Sequence, residues 1–273
     1  MNLSFQIVLF KEDAYATVKG GKGIKDILAA KADKTGIIGK DYCIISLSQS
    51  CWKWWVDARK QTGVFQYSYS KAPDWFKEEM LQDRITDALA DWQEKYLLKR
   101  EDLPALCGGE HFLYQCNIGR VYGNAVIYCF DSIIEQMEDH ALAKIVSGNS
   151  IIQRALGHSK ILEMGNNSKI DTLSQNAAIS RMKDTSLVLT AEGFSRINTM
   201  EDASRIYSLY DHASVQTMKH TSIIDYLNGY SSIRTVSDNS MVRGFSKEAR
   251  IKNIQHGATV LSMHAVEKFR LPF

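Results

Sequence analysis

The spacing of apolar residues changes near residue 130, and this change constrains the fold more than any other feature. Before it, apolar residues alternate with polar ones or form short apolar runs, which is typical of strands. We therefore expect strands over residues 1–10, 14–18, 42–47 and 64–69, and a β-hairpin over 111–130.

Three helices are predicted in the same part of the chain, and one of them is a short helix over residues 51–63 that is ended by Gly63. Residues 24–32 carry apolar side chains at helical spacing, and residues 73–98 form an amphipathic helix with Pro73 in its first turn. Four acidic residues recur every four positions on another face of this amphipathic helix, and we interpret them as a solvated face: Glu79, Asp83, Asp87 and Asp91.

After residue 131 the pattern favours short helices. Capping-box-like pairs occur at Ser132 and Glu135 and again further on, and glycines follow at intervals that suit helix ends. No internal repeat of fixed period stands out. The sequence therefore predicts an α+β fold, with a mixed sheet-and-helix domain over 1–130 and an α-helical domain over 131–273 packed against it.

The cysteine pattern and the lengths of the apolar runs limit the cellular compartments in which we expect the protein. Five cysteines, none at C-x-x-C spacing, indicate a reducing environment. The first residues lack the positive region of a signal peptide, and no apolar run reaches the ~20 residues that span a bilayer. We expect a cytoplasmic protein with no membrane contact and no cofactor, and we find no His or Cys spacing typical of a metal site.

Charge is unevenly distributed although the net charge is only +2. Residues 1–71 carry 11 Lys/Arg and 6 Asp/Glu (+5), residues 72–150 carry 7 and 14 (−7), and residues 151–273 carry 15 and 11 (+4). Such blocks suggest internal docking of one part of the chain on another or contact between neighbouring subunits, or else they average out over the folded surface.

A glycine-rich basic stretch, KGGKGIKD, precedes the first predicted helix. It satisfies G-x-x-G, whose backbone amides can hold phosphate, although it meets neither the phosphate-loop nor the dinucleotide pattern. A plain hairpin or strand-to-helix turn is the other explanation of this stretch, and the pattern favours it. The phosphate-binding residues would be Lys19, Gly20, Gly21, Lys22, Gly23 and Lys25.

Two further basic patches follow. Near the tryptophans, cations lie beside aromatic rings as they do in proteins that bind single-stranded nucleic acid, unless these rings belong to the core. In the tail, four cations fall within what we expect to be one short helix, which would otherwise be an ordinary solvated face. The residues are Lys53, Trp54, Arg59 and Lys60 in the first patch, and Arg243, Lys247, Arg250 and Lys252 in the second.

Two Arg–His pairs offer an enzymatic alternative. Arg205 with His212, and Arg250 with His256, have a spacing that resembles the Arg-x(4–6)-His signature of HEPN ribonucleases. The resemblance implies a helical bundle with RNA cleavage by these residues.

The leading prediction is a non-catalytic nucleic-acid-binding subunit of a larger ribonucleoprotein or viral-type assembly, with RNA or a single strand as its ligand. Other protein subunits, including further copies of the chain, are expected partners. A HEPN-like ribonuclease and a purely structural assembly protein stay open as alternatives.

Overall fold

A computed structural model describes residues 4–18, 23–35, 41–47, 65–69 and 72–261. Strands account for 51% of these described residues and helices for 12%. The chain divides into two compact units, Met1–Leu97 and Leu98–Phe273. The expected boundary at residue 130 therefore lies inside the second unit.

The first unit holds a four-stranded antiparallel sheet and two helices. Strand order is β2-β1-β3-β4. Phe5 on the central strand meets Trp92 of the second helix edge to face, with ring centroids 4.7 Å apart, and both are buried. The elements are β1 (Phe5–Phe10), β2 (Ala14–Val18), α1 (Ile24–Thr35), β3 (Tyr42–Leu47), β4 (Tyr67–Tyr69) and α2 (Leu81–Tyr96).

The predictions for this unit are largely confirmed. The strands at 5–10, 14–18 and 42–47 and the helix from Ile24 lie where the pattern placed them. The short helix expected over 51–63 lies outside the described residues. The helix expected over 73–98 begins at Leu81, after a short 3-10 turn at Glu78–Met80. Its four acidic residues are exposed, as expected of a solvated face.

The second unit consists of two ten-stranded parallel sheets, and successive strands alternate between them. The even sheet contains β6 (Asp102–Cys107), β8 (Asn117–Tyr122), β10 (Ile133–Met137), β12 (Ile151–Ala155), β14 (Lys169–Leu173), β16 (Leu187–Ala191), β18 (Arg205–Leu209), β20 (Ile223–Leu227), β22 (Met241–Val242) and β24 (Thr259–Val260). The odd sheet contains β5 (Leu97–Lys99), β7 (Glu110–Tyr114), β9 (Val126–Phe130), β11 (Leu142–Ser147), β13 (Lys160–Met164), β15 (Ala178–Met182), β17 (Arg196–Met200), β19 (Ser214–Met218), β21 (Ser232–Val236) and β23 (Arg250–Ile254).

The register between neighbouring strands defines the architecture. In the even sheet Asp102 pairs with Asn117 and Asn117 with Ile133, so the first coils are slightly shorter than those that follow. From β10 onward every pair keeps the offset that separates Ile133 from Ile151. The chain therefore winds as a parallel β-solenoid in which each coil adds one strand to each sheet.

Each of these regular coils is two copies of a nine-residue repeat. Residues 133–258 divide into fourteen segments of nine, each with five positions at the strand and four at the corner. The second position is Ile or Val except at Ala143, the fifth is apolar, and the ninth is always Ser or Ala. All three positions face the interior and are buried in every segment before the last two. The apolar ones form one continuous core between the sheets.

In every corner before the last two, the residue at the seventh position of the repeat adopts the left-handed conformation. Its φ lies between 52° and 70° at Asn166, Asp184, Asp202 and Gly148, among others. Glycine, asparagine and aspartate tolerate this conformation best. At Gly148 a Cβ atom would lie 2.2 Å from Asp131 Oδ1, so any larger residue would have to displace the Asp131 carboxylate.

The α-helical C-terminal part predicted from the sequence is wrong, because strands and corners occupy this region throughout its described length. Buried positions two, five and nine are spaced i, i+3 and i+7, which imitates one face of a helix. The glycines interpreted as helix ends are left-handed corners, and the capping-box pair Ser132 and Glu135 is a corner residue followed by a strand residue. The expected hairpin over 111–130 is also wrong, since β8 and β9 belong to different sheets.

Serines at the ninth position give a test of the corner packing. Ser150 Oγ donates to the Ser147 carbonyl (2.6 Å) and accepts from the Ser132 N–H, whereas Ser186 Oγ is buried without a partner. We expect Ser150→Ala to lower the free energy of unfolding by about 1 kcal/mol, and Ser186→Ala to leave it unchanged or raise it. Urea unfolding of both variants checks this, and equal destabilisation would contradict it.

Candidate functional site

Most of the glycine-rich loop and the whole tryptophan patch lie outside the described residues. This applies to Lys19 to Lys22 and to Lys53, Trp54, Arg59 and Lys60. Of the remaining two loop residues, Gly23 accepts a hydrogen bond from the Asp26 N–H (2.9 Å) at the start of α1, and Lys25 is exposed. The helix expected after the loop is thus present, and phosphate binding by the loop stays a prediction.

The basic tail patch is not a helix. Arg243 follows β22 of the even sheet, Lys247 lies in the next corner, and Arg250 and Lys252 lie on β23 of the odd sheet. The expectation that all four share one helix face is therefore wrong. The solenoid places Arg250 and Lys252 together on one face and Arg243 on the opposite one.

The two Arg–His pairs do not meet in a helical bundle, because each Arg opens a strand and each His lies in the corner after it. The four strand steps from Arg205 to the end of β18 alone extend roughly 13 Å. Arg205 binds Asp225, and His212 is stacked between two aromatic rings. The helical setting implied by the ribonuclease resemblance is overturned.

A buried carboxylate joins two of the predicted cations on the even sheet. Asp225 is only 3% exposed, and its two oxygens accept from Arg205 Nε (2.5 Å) and Arg243 Nη1 (2.9 Å). The hydrogen bond from Arg205 to Asp225 raises the pKa of the Arg205 guanidinium. This pairing ties three consecutive coils together. Catalysis by Arg205 and nucleic-acid binding by Arg243 stay predictions.

The corners that lead from the odd to the even sheet carry a polar ladder along the solenoid. The N–H of Asn166 donates to Asp184 Oδ2 (2.8 Å), that of Asp184 to Asp202 Oδ2 (3.2 Å), and that of His220 to Asp238 Oδ2 (2.9 Å). The hydrogen bond from the backbone N–H of Asp184 lowers the pKa of the Asp202 carboxyl, and the hydrogen bond with the His220 side chain lowers it to a smaller extent. Each of these carboxylates thus accepts a hydrogen bond from a backbone N–H group in the corner of the neighbouring coil.

The opposite corners carry an aromatic ladder. The His212 ring is nearly parallel to those of Phe194 and Tyr230, with centroids 5.1 and 5.5 Å away. Phe194 is 57% and Tyr230 64% exposed. His212 is covered by a ring on each face, whereas Phe194 and Tyr230 each stack on a ring on one face only. We interpret the ladder as stabilising the corners.

The described residues hold neither a cluster of metal ligands nor a membrane-spanning helix. No group of three or more His, Cys, Asp or Glu within them is arranged to hold a metal ion. None of the helices in this part of the chain has the length and apolar character needed to cross a membrane.

Comparisons with protein-family models, with curated proteins and with solved structures found no match to this chain. The fold and the surface chemistry of the solenoid therefore carry the functional argument. What sequence reasoning missed is the nine-residue repeat. The signal for this repeat was the recurrence of Ser or Ala at every ninth residue. The repeat assigns each charged residue of the solenoid to one of the two faces.

The Arg205–Asp225–Arg243 cluster gives a second test. Asp225→Ala leaves two guanidinium groups beside an emptied buried site, and we expect it to lower the free energy of unfolding by about 2–3 kcal/mol. Asp171 occupies the same repeat position three coils earlier but is half-buried. Asp171→Ala is therefore the matched control, and urea unfolding should show a loss below about 1 kcal/mol. Equal losses in the two variants would contradict a special contribution from Asp225.

Proposed function

We propose that the chain is a non-catalytic structural protein in which the solenoid is a rigid element of an assembly. One observation carries this proposal: from β10 to β24 every strand pair keeps the same offset of one whole coil. A uniform offset means that each coil rests on its neighbours along its whole length. In such quasi-one-dimensional folds the stability comes from nearest-neighbour stacking.

The stacking uses the side chains that a catalytic site would need. The buried carboxylate Asp225 and the polar corner ladder are all engaged by neighbouring coils. The ten strands of each sheet, separated by about 4.8 Å, extend roughly 43 Å along the axis of the unit. This arrangement suits a spacer of fixed length.

The last described coil supports assembly with another protein surface. Within the described residues β23 and β24 are the last strands of their sheets, and Ile254 and Leu261 are 56% and 41% exposed. Edge strands with apolar side chains are preferred places for further strands or partner chains to add. A cytoplasmic location is part of the proposal and is supported by four free thiols, Cys43, Cys107, Cys116 and Cys129.

Removing one coil tests the rigid-element proposal. Deletion of residues 178–195 removes one whole coil. It joins Ala177 to Arg196, so the nine-residue repeat continues without interruption. Spin labels on Asn149→Cys and Asn239→Cys, with Cys51 and Cys107 replaced by serine, lie five coils apart in the full chain. We expect their separation to fall from about 24 to about 19 Å with a narrow distribution in both proteins.

The control deletion, residues 178–191, removes less than a full coil and brings Gly193 and Arg196 to core positions of the repeat. It should unfold the coils that follow. A broad distance distribution in the full chain, or equal tolerance of both deletions, would contradict a rigid and regular solenoid.

Self-association tests the assembly part of the proposal. We expect sedimentation velocity to show association that increases with protein concentration, and Ile254→Lys to weaken it because a charge then occupies the exposed apolar end. Phe194→Lys, which alters an equally exposed apolar side chain at a corner, is the control. A full chain that stays monomeric at all concentrations would count against assembly through further copies.

A further inference from the structure

The nine-residue repeat sorts charge between the two faces of the solenoid. In the odd sheet, from β11 to β23, the strands and the residue after each carry nine Lys or Arg and two Glu, a net of +7. The matching positions of the even sheet, from β10 to β22, carry four Lys or Arg and five Asp or Glu, a net of −1. The nine cations of this basic face are Lys144, Lys160, Arg181, Lys183, Arg196, Lys219, Arg234, Arg250 and Lys252.

Five of these cations are exposed and form no ion pair within the described part of the chain. The other four pair with glutamates, for example Lys183 with Glu163, and Arg181 and Lys219 both with Glu201. The five that are left are Lys160, Arg196, Arg234, Arg250 and Lys252. They lie on alternate or neighbouring coils of one sheet.

Like charges are stacked in register at the end of this face. Arg234 and Lys252 occupy the same repeat position on β21 and β23, which are hydrogen-bonded neighbours, and Arg250 lies on the same strand as Lys252. Cations facing each other across neighbouring strands repel and destabilise the sheet. Nothing in the stacking of the coils requires cations there, and an anionic partner would offset their repulsion.

The shape and chemistry of the face indicate which anion fits. From Lys160 on β13 to Lys252 on β23 the face extends over five strand spacings, roughly 24 Å. A nucleic-acid duplex carries about one phosphate per 1.7 Å of axis with both strands counted, so this length of duplex carries about fourteen phosphates, and those on its near side lie within reach of the face. A column of hydroxyls, Thr199, Thr217 and Thr235, lies in register between the cations and can donate to phosphate oxygens.

The same strands exclude base stacking as the mode of binding. From β11 to β23 the odd sheet carries no aromatic side chain. Proteins that bind single strands stack bases on aromatic rings, whereas contacts to a duplex backbone come from cations and hydrogen-bond donors such as hydroxyls and need no aromatic ring. The single-strand preference expected from the sequence depended on the tryptophan patch, which has no counterpart on this face.

We propose that the basic face of the odd sheet binds the phosphate backbone of duplex nucleic acid without base specificity. The cations Lys160, Arg196, Arg234, Arg250 and Lys252 contact phosphates, and the threonine column supplies hydrogen bonds. This goes beyond the structural function proposed above and does not depend on it, since the face exists whether or not the chain self-associates.

Fluorescence anisotropy with a labelled duplex of about 20 base pairs tests the proposal, titrated with the full chain over a range of salt concentrations. We expect binding at low salt that weakens as salt is raised. The double variant Arg234→Ser, Lys252→Ser should bind at least about tenfold more weakly, and its slope of log affinity against log salt should be smaller by about two.

The matched control removes two cations from the other face. Arg154→Ser with Lys169→Ser changes the net charge equally on the even sheet, and its affinity should fall by less than about threefold. Circular dichroism establishes that both variants are folded. Equal losses in the two variants would show that net charge alone is responsible and would overturn the proposal.

Competitors distinguish the ligand class. Unlabelled duplex should displace the probe better than a single strand of the same length or heparin at equal charge concentration. Stronger displacement by the single strand would overturn the duplex assignment, and stronger displacement by heparin would overturn it in favour of an acidic polysaccharide. Absence of duplex binding at low salt would overturn the proposal outright.

Discussion

The regular coils of the second unit, from β10 onward, depend on one constraint: each must have the same length, so that the chain returns to the same position each time it completes a coil. Parallel strands hydrogen-bond only in register, so a coil of different length would move its apolar positions away from the core. The offset between Ile133 and Ile151 recurs up to Val242 and Val260. Every other feature of the regular coils follows from this repetition, because each side chain contacts its counterpart one coil before or after it.

Repetition explains why like residues stack. Isoleucine and valine form columns at the second position because a β-branched side chain packs well on its own copy in the next coil. At the seventh position the left-handed corner leaves an amide without a strand partner, and Asp184 or Asp238 accepts from it in the neighbouring coil. At the ninth position the space beneath the corner is filled by serine or alanine throughout. Each position of the nine-residue repeat therefore accepts only certain residue types, as each face of an amphipathic helix does.

The same repetition turns chain position into surface position. Block averages along the chain were +5, −7 and +4 and suggested a basic head and tail. The solenoid instead places alternate nine-residue segments on opposite faces, so one face becomes strongly basic and the other nearly neutral. Arg205 and Arg243, which the sequence offered as catalytic and nucleic-acid-binding residues, are both bound to the buried Asp225 on the neutral face. Lys252 and Arg250, from the same predicted patch, lie on the basic one.

By itself, the sequence determined the elements whose contacts are local. The strands of the first unit, the start of α1 at Ile24 and the solvated acidic face of α2 follow from short-range alternation and helical spacing, and they lie where these predict. Only the tertiary structure decided that the spacing i, i+3, i+7 after residue 131 belongs to strands and corners. Helix and solenoid coil bury the same positions over a short stretch of chain, and they differ only in whether the hydrogen-bonding partner lies one helical turn away or one whole coil away.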